Sequence, residues 1–81
     1  MKTRTDEELK NFAKLVNVYS LNYAMGKKYN DPTLMDVSFE RFATLNSRLN
    51  SEGYYVEKVG KDYLDNFDVT YSTYDVKEYD L

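Results

Sequence analysis

The sequence predicts an α+β fold: a two-helix hairpin packed on a small antiparallel sheet of two or three strands, in the order α-α-β-β with room for a third strand. Three observations predict it. Apolar residues recur at helical spacing from Leu9 to Leu49, capping signals bracket two separate segments in that region, and beyond Gly53 the chain turns to Tyr, Val and Thr in alternation with polar residues.

The first helix is read over Thr5 to Gly26. Leu9, Phe12, Ala13, Val16, Tyr19, Tyr23 and Ala24 recur three and four apart, which gathers them on one side of a helix. Thr5 and Glu8 have the spacing of a capping box, in which hydroxyl and carboxylate each satisfy a backbone N–H that lacks a partner inside the helix. Gly26 is expected to stop it, with Lys27 and Lys28 suited to the negative end of the dipole. A second apolar seam, Val18, Leu21 and Met25 with Leu15 nearby, lies opposite the first. Two seams imply two neighbours: the rest of this chain wraps both, or one seam meets another chain, a second copy or a different partner.

Asn30-Asp31-Pro32 is a turn, and the second helix begins between Asp31 and Ser38, each end of that range holding an acceptable N-cap. Met35, Phe39, Phe42, Leu45 and Leu49 form one stripe, and Gly53 ends the segment. The period then changes. Tyr54 to Val59 reads as a strand, Gly60-Lys61 as a two-residue hairpin turn, and Phe67, Val69 and Tyr71 as the buried face of a returning strand. Tyr63-Leu64 reads as a short additional piece of strand before a turn at Asp65-Asn66, and Tyr74 to Leu81 either extends the last strand or forms a mobile tail.

The chain is long enough for one domain, 1–81, with 1–4 and 75–81 as mobile ends, and a domain of this size buries a modest core. At 42% hydrophobic and 31% charged it is too apolar for disorder and too polar to span a membrane. The N-terminal segment lacks the apolar core of a secretory signal and cysteine is absent, so the expected compartment is the cytoplasm, that of a host cell if the gene is carried by a phage.

Composition also narrows the chemistry. Without His or Cys, neither a Ser-His-Asp nor a Cys-His arrangement is available, and the expectation is a protein that is not an enzyme and holds no cofactor. No metal is expected either: Asp65-Asn66-Phe67-Asp68 imitates the start of a calcium loop, but Phe67 takes a liganding position and Val76 replaces the final Glu. Lys2, Arg4, Lys10, Lys14, Arg41 and Arg48 are read as solvated surface, because an acidic chain without a dense basic stripe lacks the footprint for phosphates.

Charge is unevenly distributed. Lys and Arg outnumber acids six to three in residues 1–30, whereas residues 62–81 hold one against six. In that acidic end Asp62, Asp65, Asp68, Asp75, Glu78 and Asp80 are interspersed with Tyr63, Tyr71, Tyr74 and Tyr79, and all of these but Tyr63 form the candidate partner-binding set. Tyrosine buries its ring and keeps a polar tip, which suits interfaces, and spaced carboxylates imitate a diluted phosphate row. The functional expectation is a bacteriophage-type inhibitor or modulator that occupies a basic, nucleic-acid-handling surface of a host or defence protein. The alternative is a homo-oligomeric regulatory module, such as a homodimer, associating through Val18, Leu21 and Met25.

Overall fold

The computed structural model describes residues 4–79, so Asp80 and the outermost parts of both expected mobile ends lie outside the described residues. Two helices, α1 (Asp6–Lys28) and α2 (Pro32–Ser51), precede one antiparallel pair, β1 (Tyr54–Leu64) and β2 (Val69–Glu78). The sheet has two strands. Residues 75–78, expected in a mobile end, are part of β2.

The Thr5 capping box forms as read: Glu8 N–H donates to Thr5 Oγ1 at 3.1 Å and Thr5 N–H donates to Glu8 Oε1 at 3.0 Å. The far end of α1 corrects the sequence reading. The helix runs through Gly26 to Lys28, and the left-handed residue that redirects the chain is Asn30, with φ 59. Gly26 instead makes room for α2. A Cβ there would sit 2.8 Å from Met35 Cγ, 3.0 Å from Met35 N and 3.1 Å from the Asp31 carbonyl, and Asp31 N–H donates to the Gly26 carbonyl at 2.7 Å. Asp31 caps α2 through a bond from Leu34 N–H, and Pro32 opens it. At the other end Gly53, with φ 91, turns the chain into β1.

The buried stripe of α2 is Ser38, Leu45 and Leu49, flanked by half-buried Phe42; Phe39, expected inside, is exposed. Ser38 takes the inward position, and Phe39, one residue on and so about 100° around the helix, faces solvent. Val16, Leu45, Leu49, Tyr54 and Val76 form the core, with Leu9, Phe12, Ala13, Tyr19, Phe42, Val56 and Tyr74 packed around it.

The expected turn at Gly60-Lys61 does not form. β1 continues to Leu64, the ladder shifts register between Lys58 and Gly60, and the chain reverses in a 3-10 turn at Asp65–Phe67. Extra residues in one strand bend and twist the ribbon without ending it, so a glycine that resembles a turn signal marks a bulge.

α1 lies along the outer edge of β2. Asn17 is bonded twice to Tyr74, accepting its N–H on Oδ1 at 2.7 Å and donating Nδ2 to its carbonyl at 3.3 Å, and Ser20 Oγ donates to the Ser72 carbonyl at 2.7 Å. These side chains stand where a third strand would pair. Gly26→Ala is expected to destabilise the fold by about 1–3 kcal/mol despite the better helix propensity of alanine, because two of the three close atoms are backbone. Asn17→Ala is expected to cost a similar ~1–3 kcal/mol by leaving the Tyr74 amide without its partner. Urea denaturation of both variants checks the pair.

Candidate partner-binding surface

The acidic end does not form one patch. β2 is an extended strand, so Asp68 and Glu78 stand roughly 33 Å apart at about 3.3 Å per residue. The candidate residues divide between the hairpin turn and the opposite end of the ribbon.

At the turn, Asp68 adopts the left-handed conformation with φ 49, which a short polar side chain tolerates. Its carboxylate accepts from Tyr63 Oη at 2.6 Å and from Lys28 Nζ at 2.9 Å, and Lys28 Nζ also donates to the Asp68 carbonyl. Tyr29 Oη donates to the Phe67 carbonyl at 2.7 Å. The last residues of α1 therefore hold the turn from below. Asp62 accepts the Tyr63 N–H at 2.8 Å and the Tyr71 hydroxyl at 3.4 Å, its cross-strand partner in the ladder. Asp65 opens the turn and accepts the Asp68 N–H on its carbonyl at 3.1 Å.

Around these carboxylates three aromatic rings remain open to solvent: Tyr29 at 55%, Tyr63 at 51% and Phe67 at 43% exposure. From Asp62 to Val76 the chain carries four acids and no Lys or Arg, so Lys28 is the cation that reaches the turn. Electrostatics follows from these contacts. The Tyr63 hydroxyl and Lys28 ammonium hold the Asp68 carboxyl below its ordinary range, and Asp68 in return raises Tyr63. Tyr71 is raised by desolvation first and by Asp62 second.

The remaining candidates are placed differently. Tyr74 turns toward the helices and meets the Phe42 ring edge-on at 5.2 Å, so it belongs to the packing around the core. Asp75 lies directly across from Glu57 on the opposite face of the ribbon, with Lys77 Nζ 3.9 Å away. Glu78 is cross-strand to Tyr54, and Tyr79 stacks against Tyr55 at 4.9 Å while its N–H donates to the Gly53 carbonyl at 3.0 Å. On α1, Val18 is exposed whereas Leu21 and Met25 are half-buried, so that seam is less open than its spacing implied.

Sequence reading names Tyr63 within the acidic end but leaves it out of the partner-binding set, and it misses Tyr29 and Phe67: Phe67 reads as part of a buried strand face, and Tyr29 falls in the expected loop from Lys27 to Pro32. The usable signal was Asp65-Asn66, a turn former flanked by aromatic residues, but Gly60-Lys61 competed with it. Among the described residues no group of three or more His, Cys, Asp or Glu is arranged to hold a metal ion, and no helix is long and apolar enough to cross a membrane.

Tyr63 and Asp68 titrate at opposite ends of the pH scale. Because the Asp68 value is lowered, its contribution is present above the ordinary carboxyl value of 3.8 and is lost as pH falls through the lowered one. Because the Tyr63 value is raised, its contribution is full below 10.0 and is lost as pH rises through the raised one. Tyr63 ring shifts followed by NMR are expected to change at both extremes, and Asp68→Asn is expected to abolish the acid transition. The Lys28 pair itself adds little to stability, because Asp68 is 74% exposed and water screens the attraction.

Compared with known proteins, the chain matches no family model, no curated protein and no solved structure.

Proposed function

We propose that this protein is a non-enzymatic inhibitor or modulator that inserts its hairpin turn into a basic surface of a larger, nucleic-acid-handling protein, acting in the cytoplasm. The observation that carries the reading is the turn itself, where three exposed rings stand among Asp62, Asp65 and Asp68 on a backbone held by Lys28 and Tyr29. Aromatic anchors surrounded by charge are the usual composition of a binding hot spot. Side chains already fixed by hydrogen bonds lose little freedom on association, so more of the contact energy appears as affinity. Asp62 and Asp65, which form no ion pair among the described residues, steer the turn toward a positive surface and exclude negative ones.

Small inhibitors carried by bacteriophages and mobile elements against host or defence machinery work with this economy of size, charge and absent catalysis. The reading draws on that analogy for the class of target. A surface that binds nucleic acid is rich in Lys and Arg, and a row of carboxylates competes for it as a DNA mimic does.

The test is a pull-down from bacterial lysate with three tagged proteins side by side: wild type, Asp62→Lys with Asp65→Lys at the turn, and Asp75→Lys with Glu78→Lys at the far end. Wild type and the far-end variant are expected to retain a nucleic-acid-handling protein that elutes with rising salt, and the turn variant to lose it. Phe67→Ala is expected to weaken retention by about tenfold or more, the scale of an aromatic hot spot. Retention by the turn variant with loss by the far-end variant would overturn the assignment to the turn.

A further inference from the structure

The outer groove between α1 and α2 lies away from the hairpin; Phe12, Tyr19 and Leu45 in its lining also pack on the core, whereas Glu40, Arg41 and Thr44 take no part in the contacts described above. Its volume is about 450 Å³, and its lining joins the apolar Phe12, Leu15, Tyr19 and Leu45 to the charged Glu40, Arg41 and Arg48. Leu15 and Val37 are exposed along it, and neither Glu40 nor Arg41 makes an ion pair among the described residues. Arg48 reaches Glu52 at 3.6 Å and lies 6.0 Å over the Phe12 ring, and its side chain stays 58% exposed.

The charges on this rim are their own complement. Glu40, Thr44 and Arg48 are spaced four apart and form one ridge of α2, beside a second ridge of Val37, Arg41 and Leu45. Ridges of this kind interlock when two helices pack. A two-fold axis near Thr44, with the two α2 helices antiparallel, brings Glu40 of each copy to Arg48 of the other. It does so twice, because the acid lies four residues before Thr44 and the base four residues after it. A two-fold interface requires such self-complementarity, since one patch must serve both sides.

We infer that this groove is the interface of a homodimer, in which the α2 ridge of each copy packs against that of the other, Glu40 faces Arg48 of the partner subunit, and Leu15 and Val37 are covered. A different protein would need its own matching pattern, whereas a second copy carries it already. The surface is separate from the hairpin turn, so the dimer presents two turns to the outside.

Sedimentation equilibrium of the full chain across a concentration series tests the inference, with circular dichroism confirming that each variant is folded. The wild type is expected to dimerise. Thr44→Glu sets two like charges against each other at the axis, and because Thr44 is exposed it is tolerated by the monomer; it is expected to weaken dimerisation by about tenfold or more. Glu40→Arg alone is expected to do the same, and the double variant Glu40→Arg with Arg48→Glu to recover the dimer, an outcome that a purely structural role of either residue does not produce. A wild type that stays monomeric, a dimer untouched by Thr44→Glu, or a dimer split by Val18→Asp instead would each overturn the assignment.

Discussion

The bonding of α1 to the outer edge of β2 is the constraint on which the rest of the molecule rests. A two-stranded ribbon is marginal in water by itself, because it has two open edges and little area to bury. Here α1 answers both problems at once. Val16 is fully buried beside Tyr54 and Val76 on the face of the ribbon, and one residue further on Asn17 occupies the edge by bonding Tyr74 through both its amide oxygen and nitrogen. The helix thus stands in for a third strand. Ser20 at Ser72 and Lys28 at Asp68 continue the same line toward the turn, so the hairpin is held over nearly its whole length by one helix.

The opposite edge is protected by other means. β1 carries the bulge between Lys58 and Gly60, exposed Lys58 and Lys61, and an Asp62 side chain that takes the Tyr63 N–H. Irregular geometry and charge along an edge discourage another strand from adding there. The surfaces proposed for partners accordingly lie at the end of the ribbon and on the helices rather than along the sheet. A second clamp closes the base: Arg4 bonds Glu52 at 2.8 Å and Glu8 at 3.3 Å and lies 5.1 Å over the Phe12 ring, tying the start of α1 to the end of α2.

Placing the candidate surface at a turn rather than along an acidic edge changes its physics. A long row of carboxylates acts mainly through charge, and its attraction falls within a Debye length in salt. Rings of Tyr29, Tyr63 and Phe67 add contact area that salt does not screen, and the hydrogen bonds beneath them fix the geometry before any partner arrives. The opposed pair Glu57 and Asp75 at the middle of the ribbon is of the opposite character, since like charges directly across a ladder destabilise it.

Local patterns in the sequence determined the α-α-β-β order, the capping box at Thr5, the Gly53 end of the second helix and the burial of Val16, Leu45 and Leu49, and narrowed the start of the second helix to the range Asp31 to Ser38. Each depends on neighbours within a turn or two of the chain, where side-chain spacing and backbone preference decide the outcome. Tertiary structure alone decided the rest. Gly26 and Gly60 both resemble stop signals, yet one admits Met35 and the other adjoins a bulge, because what a glycine does depends on which chain segment approaches it. Likewise Asn17 shows no special pattern until Tyr74 is beside it, and Phe67 and Tyr29 become a surface only when α1 ends beneath the turn. Such residues act across some 40 to 60 positions of sequence, a separation over which periodicity carries no information.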